Sequence, residues 1–466
     1  MPVLFITDGL ILLLLTMVFI FVCYARKQEH LRAPWRTVAR NPMAMASAVI
    51  LFFYLLIGLI DSIHFHPNLK KLNDQEKQYS TEILSLLDVA ITHLREQDEK
   101  TYSAPFASHA YSKETIELAN GSTVREYPRL NFGGAHLSDP EQEKTGDLLL
   151  KSLNGFIFGL IIWCFVSCLL VFTIKWRSKV SLLNVFNNTL KKESEVPWRV
   201  IHVTLGIVII SLTVLLYLSN FYHILGTDKV GQDVFYQALK SIRTGLVIGT
   251  LTTLVMLPFA ILMGLMAGYF RGWIDDVIQY LYTTLSSIPG VLLIAASILM
   301  LQVYMANHAD DFVSLEQRAD MRLLFLCIIL GITSWTGLCR MLRGETMKLR
   351  EIDYVQAAQA FGVGHFTIIL RHLLPNVMHI VMISIVLDFS GLVLAEAVLS
   401  YINIGVDPSM HSWGNMINSA RLEMAREPIV WWSLAAAFVF MFVLVLAANL
   451  FSDVVRDAFD PRLRGS

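Results

Sequence analysis

Charge is what this sequence has least of. Asp, Glu, Lys and Arg make up 16% of its 466 residues, against about 25% in soluble globular chains. Hydrophobic residues reach 55% and mean hydropathy is +0.55, which excludes an ordinary soluble domain. The formal net charge of −1 leaves no global basic field, so no nucleic-acid partner is expected. Cysteine is scarce as well. Cys23, Cys164, Cys168, Cys327 and Cys339 all fall in or beside apolar runs, and none lies in the long polar segment 64–150. That distribution excludes a disulfide framework and reads as buried free thiols. No G-x-x-x-x-G-K-[ST] phosphate loop occurs, so the chain has no ATP site of its own. It also lacks HExxH and GxSxG, the signatures of a membrane hydrolase. His64 and His66 have no third ligand type nearby, and no metal site is expected.

What the sequence has is apolar runs of about 20 residues, long enough to cross a bilayer core roughly 30 Å thick. They fall at about 4–24, 43–63, 151–174, 200–220, 242–268, 277–303, 322–342, 377–400 and 430–451. The reading is an all-α polytopic membrane protein with about nine transmembrane helices. The first run has no basic n-region and no small-residue cleavage site after it, so it reads as a retained span rather than a signal peptide. Loop 25–42 carries five Lys/Arg against Glu29 alone, and loop 175–199 six against Glu193 and Glu195. The positive-inside rule places both in the cytoplasm. Segment 64–150 carries nine Lys/Arg and fourteen Asp/Glu, and loop 304–321 one against four, so both lie outside. The N-terminus then lies outside and the C-terminus in the cytoplasm.

Segment 64–150 is long enough for a small exterior α+β domain. Ile83, Leu86, Leu87, Ala90, Ile91 and Leu94 recur with helical spacing and predict an amphipathic helix over about 75–97. Asn120-Gly121 predicts a hairpin turn, and Asn120-Gly121-Ser122 is also a sequon of the kind chance supplies. The fifth run holds Gly245-x-x-x-Gly249 and Gly264-x-x-x-Gly268, spacings that let membrane helices approach closely. Pro258 predicts a kink between them, and Pro289-Gly290 a break or kink in the sixth run. Arg340 and Arg343 fall at the inner membrane edge, where snorkelling accounts for them.

Between the seventh and eighth runs lies "REIDYVQAAQAFGVGHFTIILRHLLPN", residues 350–376. Tyr354, Ala357, Ala358 and Phe361 fall at i, i+3, i+4, i+7, one face of a short helix. Gly362 and Gly364 end it. "HFTIILRHLL" makes a second short helix that Pro375 stops before the next span. The physics alone allows two readings: a rigid knob offered to a partner, or an amphipathic helix lying on the membrane.

The same stretch resembles the EAA loop of ATP-binding-cassette importer permeases, EAA-x3-G-x9-I-x-L-P. Gln356-Ala357-Ala358 stand at the EAA, Gly362 at the glycine and Leu374-Pro375 at the end. Gln356 replaces the usual Glu and His372 the usual Ile, which puts a salt bridge from position 356 in doubt. Further pieces resemble the dipeptide/oligopeptide C-type subfamily. "HILGTDKVGQDVF" (223–235) is similar to its GTD-x-x-G-R-D segment, on Gly226, Thr227, Asp228 and Asp233. "GLMAGYFRGWIDD" (264–276), "LAEAVLSYINIGVDPSMHSWGNMI" (394–417) and "DAFDPRLRG" (457–465) resemble its later motifs in family order. The first 222 residues fit less well: a span, an exterior domain and two further spans elaborate a six-span plan.

The resemblance implies a bacterial inner-membrane permease subunit of a peptide importer. Its partners would be a second permease, two cytoplasmic ATP-binding subunits, a periplasmic peptide-binding protein and membrane lipid. ATP and Mg would sit on the partner subunits and no cofactor on this chain. Asp353, Tyr354, Gln356, Ala357, Ala358, Phe361 and Gly362 would form the coupling interface to one ATPase. Asp388, in the middle of the eighth run, and Glu396, near its outer end, are candidates for the path or gate, with helix packing the competing role for each. The implied organisation is 1–63, two spans and a basic loop; 64–150, a periplasmic domain; 151–222, an added hairpin; and 223–466, a permease core with its coupling loop at 345–376. Nickel or an opine-like solute is the alternative cargo, and a non-transporting scaffold or sensor the alternative class.

Overall fold

The computed structural model describes residues 2–25, 29–68, 80–117, 123–178, 196–308 and 314–459. In chain order it contains β1 (Pro2–Val3), α1 (Ile6–Ala25), α2 (Glu29–Arg40), α3 (Pro42–Asp61), β2 (His64–Phe65), β3 (Leu84–Ser85), α4 (Leu86–Ala90) and α5 (Thr92–Glu96). There follow β4 (Glu114–Glu117), β5 (Thr123–Glu126), α6 (Pro140–Ser178), α7 (Trp198–Leu218), α8 (Val234–Phe270), α9 (Gly272–Ser287), α10 (Gly290–Asn307) and α11 (Leu315–Arg350). The chain continues with α12 (Asp353–Ala360), α13 (His365–Ile368), a π turn over Ile369–Leu373, α14 (Leu374–Tyr401), α15 (Trp413–Glu423) and α16 (Trp432–Phe459). Among the described residues eight helices are long and apolar enough to cross a membrane, and Ile6–Ile20 is a shorter apolar one. This is an all-α polytopic architecture.

Local chemistry sets several helix ends. Asn41 accepts the Met43 backbone N–H at 2.9 Å while Pro42 occupies the first turn of α3, where its missing N–H is no loss. Ser314 and Ser412 cap α11 and α15 through the Gln317 and Asn415 N–H groups. Pro289-Gly290 separates α9 from α10, so the sixth apolar run is two helices, as the sequence predicts. Pro258 does not end α8, which runs through it.

Two expectations need correction. The amphipathic helix expected over 75–97 is instead β3 followed by two five-residue helices; residues 69–79 lie outside the described residues. Leu84 and Ser85 pair with Phe65 and His64, and Ile91 leaves helical geometry at φ −118°, ψ 34° between α4 and α5, so strand pairing overrides the apolar spacing. Nor does Pro375 stop the second short helix. The helix is continuous over His365–Tyr401, because in the π turn the Leu374 N–H reaches back five residues to the Ile369 carbonyl. That register absorbs a proline, which has no N–H to contribute.

The chain forms two compact units. One holds 1–3, 36–244 and 411–451. Here β1, β2 and β3 form an antiparallel sheet, and β4 and β5 a hairpin about the predicted Asn120-Gly121 turn, whose residues lie outside the described ones. Helices α6 and α7 pack together, with Gly159 and Gly206 at their contact. The other unit holds 4–35, 245–410 and 452–466. Its α1 is tied to α11 by Thr7, whose N–H and hydroxyl both bond Asp320. Its core is the close packing of α8, α11 and α14. A Cβ at Gly264 would lie 2.7 Å from Leu342 Cβ, one at Gly268 2.5 Å from Thr346 Cβ, and one at Gly249 2.5 Å from the Phe389 ring. Only glycine permits these approaches.

Candidate functional site

The stretch after α11 presents an exposed helix face on a buried base. Helix α12 leaves α11 after a two-residue reversal at Glu351–Ile352 and ends at Gly362, φ +76°. Val355 is fully buried, in one apolar cluster with Ile368, Leu373, Val377, Leu342 and Cys339. The opposite side is open. Phe361 is 88% exposed and Tyr354 43%, and Asp353, Gln356, Ala357 and Gly362 are exposed too. Ala358 is half-buried and packs against the cluster, so it sits at the edge of the face rather than at its centre.

Polar contacts hold this base to its neighbours. Tyr269 is the junction: its hydroxyl meets His365 Nδ1 at 2.7 Å and its carbonyl accepts from Arg350 at 2.7 Å. Arg271 pairs with Glu351 at 2.5 Å, and Gln356 Nε2 donates to the Glu351 carbonyl at 3.2 Å. Asn376 donates to the Tyr354 hydroxyl at 3.0 Å. Arg343 grips Asp275 through two bonds of 2.5 and 2.8 Å; it joins α11 to α9 and is no snorkelling surface charge, while Arg340 lies over the Tyr282 ring. Position 356, where the resembling family has Glu, therefore faces Glu351, and a second carboxylate there would compete for Arg271.

Glu396 is 1% exposed and accepts from the Ser400 hydroxyl at 2.7 Å. Ser400 Oγ in turn accepts the Val406 N–H at 3.3 Å, and Ile404 and Gly405 bond back to the Leu399 carbonyl. Glu396 thus braces the chain reversal that follows α14. Asp388 is partly buried on α14 and lies apart from Glu396.

The GTD segment caps α8 and bonds to residues 101–103. Asp233 Oδ1 accepts the Phe235 and Tyr236 N–H groups at 2.8 and 3.2 Å. Asp228 accepts from the Val230 and Gln232 N–H groups and from Gln237 Nε2. The Thr227 hydroxyl accepts the Ser103 N–H at 2.7 Å and donates to the Thr101 carbonyl at 2.8 Å. Gly226 and Gly231 have positive φ, and a Cβ on either would strike the backbone of Ser103 or Glu99.

Sequence reasoning missed the two buried charge clusters of this unit. In one, His223 Nδ1 meets Asp233 at 2.8 Å and Nε2 lies 3.5 Å from Glu99. Glu99 also accepts the Asn131, Phe132 and Gly133 N–H groups at 3.0, 2.8 and 3.3 Å. Burial alone would push the His223 imidazole down, but Asp233 and Glu99 outweigh it and hold it at about 9. Burial would raise Glu99, yet His223 and the three backbone N–H donors bring it to about 2. In the other cluster Lys240 bonds Asp61 at 2.6 Å and Asp88 at 3.1 Å, and Tyr236 donates to Asp88 at 2.8 Å. The signal available in the sequence was Asp61 and Lys240 at the ends of apolar runs, since charges at that depth call for partners.

These features are those of a polytopic membrane protein: packed apolar helices with an exposed, braced helix between two of them. A family model described as the binding-protein-dependent transport system inner membrane component matches residues 260–465. The glutathione transport system permease protein GsiD of Pectobacterium atrosepticum is 32% identical over 244 residues, 52% of this chain and 73% of that protein. The oligopeptide transport system permease protein OppC of Mycobacterium tuberculosis is 32% identical over 242 residues, 52% of this chain and 77% of that protein. A chain of the MetNI methionine ABC transporter, solved in inward facing conformations, aligns with TM-score 0.33 and 15% identity over 46% of this chain and 93% of that one. The chain belongs to the binding-protein-dependent transport inner membrane component family and is a multi-pass transport permease.

Proposed function

We propose that this chain is a transmembrane subunit of an ATP-driven peptide importer of the bacterial inner membrane. It forms the path together with a second permease, receives peptide from a periplasmic binding protein, and takes its drive from one of two cytoplasmic ATPases. The observation that carries this reading is α12: an open face of Tyr354, Gln356, Ala357 and Phe361 on a base that Val355 buries in the span packing. A partner that closes on ATP and holds this face would move α11 and α14 as a rigid body, provided ATP favours one packing over the other. Relatives named for oligopeptide and glutathione transport support peptide as the cargo. The ATP and Mg belong to the partners, and Glu396 acts as a brace at the outer end of the path.

The test is co-purification of the complex from its native membrane followed by uptake into proteoliposomes with a peptide panel. ATP-dependent uptake of short peptides is expected. ATP-dependent uptake of nickel instead, or a complex without ATPase partners, would overturn the reading. Orientation is checked separately: a cysteine at Asn120 reacts with an impermeant reagent in spheroplasts and one at Lys191 does not.

A further inference from the structure

Among the described residues, several buried charges have a partner. Lys240 holds Asp61 and Asp88, Asp320 holds Thr7, and Glu396 holds Ser400. Asp388 differs: among the described residues no hydrogen bond or ion pair reaches its carboxylate. It lies well inside the continuous helix His365–Tyr401, about 20 Å from the Tyr401 end at about 1.5 Å per residue. A carboxylate at that depth is tolerated where it meets a partner group or a water-filled cavity, and not against lipid.

The surroundings of Asp388 show which side is open. Phe389, the next residue, is wedged against Gly249 of α8, so the adjacent face of α14 is fixed inward. One turn on, Gly391 is exposed and a Cβ there would meet nothing within 4 Å. Leu387, Leu394 and Val398, at 38%, 42% and 52% exposure, continue an uncovered strip along the helix. The carboxylate thus lies beside open space at Gly391, on a face of α14 that the described residues of this unit leave uncovered.

We propose that Asp388 is a cation-binding subsite that receives the α-ammonium of a peptide in transit. This rests on the peptide-importer reading. Every unblocked peptide carries one such ammonium whatever its side chains, so a single carboxylate serves cargo of unrelated sequence. The apolar strip beside it accepts side chains without selecting among them. A lone carboxylate also binds weakly enough to let cargo leave, as a conduction path requires. The competing occupant is a basic side chain of the second permease.

The experiment uses the intact complex in proteoliposomes with saturating loaded binding protein, and has two required results. First, Asp388→Asn lowers uptake of a free-amine tripeptide at least ten-fold, Asp388→Glu recovers more than a third of it, and the yield and thermal stability of both complexes match wild type. Second, carbodiimide added to the cargo-loaded complex links Asp388 to the peptide amine as an amide, found by mass spectrometry and missing with the N-acetylated peptide. Uptake by Asp388→Asn within two-fold of wild type overturns the proposal. So does loss of complex yield, an amide to a lysine of the second permease, or no peptide adduct. If wild type imports no peptide in the same vesicles, it is the importer reading that fails.

Discussion

Replacing Gly362 isolates one physical cause at the proposed docking helix. The residue closes α12 at φ +76°, and a Cβ there would meet nothing within 4 Å. Neighbour clashes drop out, and only the backbone conformation counts. An L-residue in this left-handed region costs roughly 1–2 kcal/mol, less for Asn, which visits it more readily. The native helix end is then disfavoured by a factor of about 5–30, at about 1.4 kcal/mol per ten-fold. The expected order for peptide taken up per ATP hydrolysed in proteoliposomes is Gly, then Asn, then Ala, then Val. Membrane insertion and complex yield stay at wild-type level. Asn and Val are of similar size, so their comparison decides the matter. Val equal to wild type, or Asn as impaired as Val, would refute the backbone argument.

Three other perturbations follow from the same geometry. Gly268→Ala places a methyl 2.5 Å from Thr346 Cβ and 2.7 Å from the Arg343 carbonyl, where carbon atoms prefer about 3.5–4.0 Å; overpacking of about 1–3 kcal/mol lowers the melting temperature of the purified complex. Lys240→Met leaves Asp61 and Asp88 buried without their cation, a loss of about 3–5 kcal/mol seen as reduced accumulation in membranes, and Lys240→Arg is milder. The His223–Glu99 contact gives a pH window for the attachment of the insertion. His223, raised from 6.5 to about 9, stabilises fully below its ordinary value and loses that stability as pH rises through 9. Glu99, lowered from 4.5 to about 2, stabilises above 4.5 and loses it as pH falls towards 2. Proteolytic resistance of residues 80–147 is therefore greatest between about pH 4.5 and 6.5, and His223→Gln flattens its decline towards pH 9.

The spans were legible because their signal is local: about 20 apolar residues in a row. The break at Pro289-Gly290, the glycine contacts of α8 and the boundaries of α12 were legible for the same reason, since each depends on residues a few positions apart. The missed features depend on residues far apart. Glu99 reaches His223 across more than 120 positions, and nothing in their spacing announces it. The helix expected over 75–97 failed because a two-residue pairing with Phe65 and His64 outweighed apolar periodicity. Pro375 misled because a π turn accommodates proline without ending the helix. On α12 Val355 was overlooked: the aromatic and small positions marked the open side, while the buried side is held by one valine with 0% exposure.

The proposed coupling stands most directly on Ala357, which is exposed and makes no core contact, whereas Ala358 packs on the base and would confuse docking with folding. Uptake of labelled peptide into proteoliposomes containing the Ala357→Arg complex is the deciding measurement. Loss of at least ten-fold in ATP-driven uptake, with normal membrane insertion and an unchanged melting temperature of the permease, is predicted. Uptake equal to wild type would contradict the assignment of α12 as the surface through which ATP hydrolysis drives transport.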